Sequence, residues 1–177
     1  YLNSEGINLY ADTRRLSLTL AAHMILQAEK KKTFEASFEL AEEILENGKA
    51  LKKFEEIIGK QGGQIEKLPM PKFCYEIKAK SSGMINKMNT EKIGLAAVKI
   101  GAGRAVVSDK IEATAGIEFL KKTGAAVTAG ETIFKVHGNN LDTIKKIEPD
   151  LLSSLTLGSS EQTDPNFNKL IFKTLDG

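Results

Sequence analysis

Two prolines, Pro69 and Pro71 on either side of Met70, divide this 177-residue chain into parts of different hydrophobic period. Neither a helix interior nor a central strand accommodates the pair, because each proline lacks an N–H and pushes the preceding residue out of the helical region. With Gly62 and Gly63 just upstream, they predict a linker over residues 64–72. Before it, apolar residues recur every three to four positions; after it, they alternate. Residues 1–63 therefore read as a helical segment and 73–150 as a β-containing domain.

In the helical part, Asp12-Thr13 supplies an N-cap and Arg14 to Lys32 predicts one helix. Leu16, Leu20 and Met24, with Leu18, Ala21, Ile25 and Ala28 beside them, give it a wide apolar face. Lys30-Lys31-Lys32 would sit in its last turn, where cations suit the helix dipole. Thr33 caps a second helix with Phe34, Phe38, Ala41, Ile44 and Leu45 as its stripe, and Gly48 marks its end. Leu51, Phe54, Ile57 and Ile58 repeat the spacing in a third, stopped by Gly62-Gly63.

Beyond the linker, Phe73, Tyr75, Ile77 and Ala79 alternate with Cys74, Glu76 and Lys78, the pattern of a half-buried strand. Ser81-Ser82-Gly83 turns the chain into a second strand, Met84 to Met88, and Asn89-Thr90 caps a short helix running through Ile93, Ala96, Ala97 and Ile100. Strands follow at Gly116–Lys121 and Thr132–His137, with turn segments Thr123-Gly124 and Ala129-Gly130 between them. Leu141 to Ile147 reads as a last short helix closed by Pro149, and residues 151–177 as loop plus a terminal strand around Leu170, Ile171 and Phe172. The expected fold class is α+β: N-terminal helices, then a small mixed or antiparallel β unit of barrel-sandwich or hammerhead type with short helices.

Composition narrows the function classes. Charge nearly cancels, 25 Lys+Arg against 23 Asp+Glu, and no basic face gathers for nucleic acid. The apolar content of 41% excludes low-complexity disorder. A single Cys74 permits no internal disulfide, and no Cys/His set has metal-ligand spacing. The apolar stretch Leu16 to Leu26 is short and broken by Ser17, Thr19 and His23, so no membrane span is expected. The expectation is a soluble, cytoplasmic protein of a reducing compartment, and a start at Tyr1 reads as the continuation of something longer.

Candidate chemistry is sparse. His23 lies mid-helix without a carboxylate partner, and His137, before Gly138-Asn139-Asn140, reads as a turn residue. Glu42-Glu43, Glu46 and Glu55-Glu56 read as solvated pairs with lysines on polar helix faces, and Cys74 as a passive thiol. Gly101-Ala102-Gly103-Arg104 is the most phosphate-like piece, since glycines let backbone N–H groups approach an anion and an arginine can clamp it. Yet it follows a helix instead of a strand and lacks the third glycine of the dinucleotide fingerprint, so a structural loop or closing flap is the preferred reading. The segment Gly116 to Val136, with Gly124, Val127 and Gly130-Glu131, looks like half of a biotinyl or lipoyl carrier. The carrier's exposed tip lysine is replaced by His137-Gly138-Asn139-Asn140, and Lys87-Met88 lies on the wrong half.

Three stretches together resemble the carboxyl-terminal part of the thymidine/pyrimidine-nucleoside phosphorylase family. They are Asn47 to Phe54 running on to Gln61-Gly62-Gly63, then Ile100 to Arg104 followed by Ser108 to Ile111, then Ala115-Gly116-Ile117 with Lys121, Gly124, Val127, Gly130-Glu131 and Val136-His137. The likeness runs from about Asp12 to Asn140. It implies a parent enzyme, usually a homodimer, in which phosphate attacks C1′ of a pyrimidine nucleoside, with residues 1–63 belonging to its large α/β domain. Phosphate is then a co-substrate and no cofactor is implied. The family's phosphate- and base-binding segments lie upstream of this match, so no catalytic, substrate-binding or metal residue is carried over. Gly101, Gly103 and Arg104 fall near the family's domain-closure region and are supporting residues at most. The implied partner is the parent's N-terminal region, and the chain alone is expected to be inert. The alternative from a different class is a non-enzymatic barrel-sandwich binding or adaptor module.

Overall fold

The structure, a computed structural model, describes residues 10–158 and residue 171. The described residues divide into two compact units, 10–68 with Ile171, and 69–158. Each is taken by itself.

In the first unit, α1 (Ala11–Gln27), α2 (Phe34–Glu46) and α3 (Lys49–Lys60) follow in order. α1 begins two residues before the expected Asp12-Thr13 cap, at Tyr10, with no side-chain cap. It also ends five residues early: Glu29 turns to φ 53°, and Lys30 to Lys32 lie beyond the helix. The buried row of α1 is Leu18 and Ala22, set against Ser37 and Ala41 of α2. Alanine and serine here let the two backbones approach closely, and the Ser37 hydroxyl is satisfied by donating to the Thr33 carbonyl at 2.8 Å. Leu16, Leu20 and Met24 therefore face outward. Thr33 does cap α2, its Oγ1 accepting from Ala36 N at 3.2 Å. Arg14 reaches across to Glu42 at 2.9 Å and Glu46 at 2.8 Å. Those carboxylates thus serve the α1–α2 packing, contrary to the expected pairing with lysines of their own helix. Glu56 does pair locally, with Lys53 and with Lys60.

The second unit holds β1 (Phe73–Lys78), β2 (Gly83–Met88), α4 (Thr90–Lys99), β3 (Gly116–Phe119), β4 (Ala126–Val127), β5 (Thr132–Gly138), α5 (Leu141–Lys146), α6 (Glu148–Ser153) and β6 (Leu155–Gly158). Two antiparallel sheets form, in the orders β1-β5-β3 and β4-β2-β6. One core joins them: Ile77, Ile85, Ile93, Ala96, Val127, Ile133, Phe134, Val136, Ile144, Ile147 and Leu151 all lie in it. Phe119 meets Phe134 edge-on, with ring centroids 5.3 Å apart. The class is α+β, as the sequence predicts.

Three local expectations change. Pro149 does not close the helix before it; it stands in the first turn of α6, where its missing N–H costs nothing. The stretch from Ser153, expected as loop, supplies β6, which pairs with β2 in the register Met84↔Gly158 to Met88↔Leu155. β4, two residues long, stands where only turn segments were expected. The terminal strand around Leu170 and Phe172 lies outside the described residues, apart from Ile171, which is in no regular element.

Phe134 is fully buried and carries the contact with Phe119. Phe134→Ala should cost about 3–5 kcal/mol of unfolding free energy, read by urea titration, because removal of a core ring leaves a cavity as well as lost transfer energy.

Candidate functional site

The glycine-rich segment Gly101 to Arg104 is built by the end of α4. Asn89 opens that helix, its Oδ1 accepting from Lys92 N at 3.1 Å. At the far end Gly101 adopts φ 92°, the left-handed conformation that closes helices. Its N–H donates to Val98 O at 2.9 Å, and that of Ala102 to Ala97 O at 3.0 Å. These two bonds are the paired closures of a Schellman cap. The amides of Gly101 and Ala102 are consumed in ending the helix and do not point at an anion. A helix C-terminus also carries the negative end of the dipole. The segment is a cap, in keeping with the structural-loop reading.

Both glycines are demanded by packing. A Cβ on Gly101 would lie 3.0 Å from the Glu112 Cβ, and one on Gly103 would lie 3.0 Å from the Val98 Cγ2. Arg104 is exposed and makes no ion pair among the described residues. The chain then doubles back. Asp109 Oδ2 accepts from Ala105 N and Val106 N, both at 3.0 Å, and this leaves Val107 92% exposed.

Glu112 ties this loop to the sheet. Its N–H donates to Gly101 O at 2.8 Å, while Oε1 accepts from Thr114 Oγ1 at 2.7 Å and Thr114 N at 3.1 Å. The Thr114 hydroxyl first, then the Thr114 amide and Asn139, hold its carboxyl below the ordinary value of 4.5, and the charge of Lys72 adds to this. Asn139 Oδ1 accepts from Lys72 N at 3.1 Å, and Asn140 caps α5 through Thr143 N at 3.0 Å. Lys99, Gly101, Glu112, Asn139, Asn140 and Thr143 thus ring a shallow depression of about 290 Å³. Sequence reasoning treated Asn139 and Asn140 only as turn residues. Glu112 and Thr114 carried no signal, since two polar residues in a loop look like any others.

The remaining candidates are dispersed. His137 is not a turn residue: it lies within β5, opposite Cys74 and Gly116, with Nε2 3.4 Å from Glu118 Oε2. His23 packs on Phe34, with ring centroids 4.7 Å apart. Cys74 is free and exposed. Lys87 is mid-strand in β2, opposite Thr156, and not at a hairpin tip as carrier chemistry needs. Glu131 closes its own turn instead of presenting an acid: it accepts from Thr128 N at 2.8 Å and pairs with Lys121 at 2.6 Å. No group of three His, Cys, Asp or Glu side chains suited to a metal occurs among the described residues. No helix among them is long and apolar enough to cross a membrane.

Comparison with known proteins adds what the geometry lacks. Residues 84–158, from β2 to β6, match the family described as pyrimidine nucleoside phosphorylase C-terminal domain. A pyrimidine-nucleoside phosphorylase of Staphylococcus haemolyticus is 36% identical over 159 residues, covering 85% of this chain and 36% of the relative. One of Staphylococcus aureus (strain bovine RF122 / ET3-1) is 34% identical over 166 residues, covering 90% of this chain and 38% of the relative. The chain therefore spans little more than a third of the length of these curated relatives.

Two measurements check the cap and its carboxylate. Gly101→Ala should destabilise the second unit by about 1–2 kcal/mol from left-handed strain alone, and by more once the Glu112 clash is added. Gly130→Ala shares the positive φ, but its Cβ would meet nothing within 4 Å, so it should cost less in the same urea titration. Glu112 has a folded pKa below its unfolded one. The stability it confers is therefore complete above the unfolded value and disappears as pH falls through the folded value. The gap in thermal midpoint between the parent chain and Glu112→Gln should be widest near neutrality and should close on acidification.

Proposed function

The chain belongs to the pyrimidine-nucleoside phosphorylase family, and on that premise we propose that it is the carboxyl-terminal, closing part of an enzyme that phosphorolyses pyrimidine nucleosides. In that reaction a phosphate oxygen forms the new bond to C1′ as the glycosidic C–N bond breaks. The electron pair leaves with the base, which takes up a proton, and the other product is a pentose 1-phosphate. Stabilising it requires several donors focused on phosphate and a group to help the departing base. Arg104 is one exposed cation, and the amides of Gly101 and Ala102 are spent in the α4 cap. The chain's own part is then scaffold and closure, with the reacting groups supplied by the rest of the enzyme. A cytoplasmic homodimer serving nucleoside salvage fits this reading.

The observation that carries the proposal is the exposed ridge of α3. Leu51, Phe54 and Ile57 recur at helical spacing, yet they remain 59%, 53% and 45% exposed. No residue of α3 is buried. Contiguous apolar surface of this kind marks a surface that something covers, and the relatives have nearly two thirds of their length beyond this match.

The test is reconstitution. The 177-residue chain alone should show no phosphate-dependent cleavage of thymidine or uridine. Co-expression with the part of the S. haemolyticus relative that the match leaves out should give a co-purifying complex with phosphorolytic activity. Leu51→Asp with Phe54→Asp should abolish both. Turnover by the 177 residues alone would overturn the proposal, and so would a complex indifferent to the double substitution.

A further inference from the structure

Asn47 is the one asparagine of this chain that precedes a glycine. The pair stands at the corner between α2 and α3, with Asn47 closing one helix and Gly48 opening the next. The asparagine is exposed, and its Oδ1 accepts from Lys49 N at 3.0 Å. That bond, from the side chain to the amide two residues on, folds the carboxamide back over the Asn47–Gly48 peptide. Gly48 has φ 79°, and a Cβ built on it would meet nothing within 4 Å. Its N–H reaches Leu45 O at 3.4 Å, a long and weak hydrogen bond.

We propose that Asn47–Gly48 is a self-modification site, at which the chain converts its own asparagine through a cyclic imide to aspartyl and isoaspartyl products. In the first step the Gly48 nitrogen gives its proton to hydroxide and forms a bond to the Asn47 Cγ. The Cγ–Nδ2 bond then breaks, and ammonia leaves with a proton taken from water. In the second step water opens the imide. Cleavage at Cγ–N gives aspartate, and cleavage of the backbone C–N bond gives isoaspartate, whose main chain runs through Cβ. Negative charge develops on Oδ1 during the attack, and the Lys49 N–H already points at that atom. The approach requires rotation about ψ of Asn47, which stands at 3°. A flip of one peptide plane, with ψ of Asn47 and φ of Gly48 turning in opposite senses, supplies it while both helices stay in place. Glycine populates both signs of φ without steric cost, and the bond given up is the long one to Leu45. Asn89 and Asn140 also have engaged Oδ1 atoms, but theirs accept from amides three residues on, and Thr90 and Leu141 follow them. The site lies wholly within the first unit and is independent of the proposed activity.

Trypsin isolates the site, because the peptide from Thr33 to Lys49 contains Asn47 and neither another asparagine nor a glutamine. The folded 177-residue chain, incubated in mildly alkaline buffer, should convert that peptide into two chromatographically distinct forms, each heavier by the exchange of NH2 for OH. Conversion should rise with pH, since hydroxide takes the proton, and peptides carrying Asn89 or Asn140 should convert many-fold more slowly. Asn47→Gln, which would need a larger ring, and Gly48→Ala, which crowds the nitrogen and hinders the flip, should each cut conversion many-fold. Should Gly48→Ala lose its helices by circular dichroism, Asn47→Gln decides the matter. A synthetic peptide of residues 33–49 gives the rate without the fold, and the folded chain should come within several-fold of it. A folded chain that stays unmodified while the peptide converts would overturn the proposal, since the fold would then protect the corner. So would conversion spread evenly over the asparagines, or conversion that the substitutions leave unchanged.

Discussion

The second unit hangs on strand β5. Ile133 and Phe134 are adjacent, so their side chains point to opposite faces of the sheet, and both are fully buried. A strand covered on both faces and paired on both edges, with β1 on one side and β3 on the other, has no freedom of register. A slip by one residue would drive Lys135 and Thr132 into the core. Everything near the depression follows from this. His137 is set opposite Gly116, Gly138 opposite Phe73, and Asn139 arrives beside Lys72 and Glu112. The loop after α4 is then placed because Glu112 bonds to Gly101.

Two glycine pairs attracted notice in the sequence, and the structure gives them one explanation. Gly62 at φ 79° and Gly63 end α3 with bonds to Gly59 O at 3.0 Å and Ile58 O at 2.9 Å. Gly101 and Ala102 end α4 with the same pair of closures. In each case the first residue needs left-handed backbone, and a glycine close behind needs room: a Cβ on Gly63 would come within 2.7 Å of Ile58 Cγ2. In this chain both short glycine motifs therefore serve capping and close packing. An anion cradle requires free amides at a helix start, and here both sets are bonded at a helix end. Charge and geometry lead to the same conclusion by independent routes.

The fold was most legible where local chemistry decides the outcome, although the Asp12-Thr13 cap did not form. Thr33 and Asn89 cap their helices through side-chain oxygens where the sequence places caps, and alternation located β1. It was illegible where a partner distant in sequence decides. β6 is four residues that pair with β2, 67 or more positions earlier, and Ser153-Ser154 hid it behind a loop-like composition. β4 is too short to show a period. Arg14 chooses Glu42 and Glu46 across a helix pair, a contact no spacing rule within one helix contains. The depression was invisible for the same reason. Lys72, Gly101, Glu112 and Asn139 are brought together by topology, and only Gly101 had drawn attention on its own.

The same comparison tells what surrounds the helices. A stripe at i, i+3 and i+6 such as Leu51, Phe54 and Ile57, opposed by Lys52, Lys53, Glu55, Glu56 and Lys60, is the pattern of a helix with one dry face. In isolation such a face gains nothing from water and lowers solubility, so the pattern records an environment and not an intrinsic preference. α1 makes the point from the other direction. Its buried row is Leu18 and Ala22, which is all that α2 requires, yet Leu16, Leu20 and Met24 add a second apolar row that α2 does not cover. Two helices with surplus apolar rows lie in a segment whose relatives have much longer chains. In the second unit, by contrast, Ile77, Ile85, Ile133, Ile144 and Leu151 are all fully buried within the one core. The second unit encloses a continuous core while leaving Leu95, Val106, Val107 and Ile111 exposed at its surface, whereas the first buries only Leu18, Ala22, Ser37 and Ala41 among its described residues. Folding autonomy should therefore differ between the two: the β-containing unit holds its structure by itself, while the helices are completed by what packs against them.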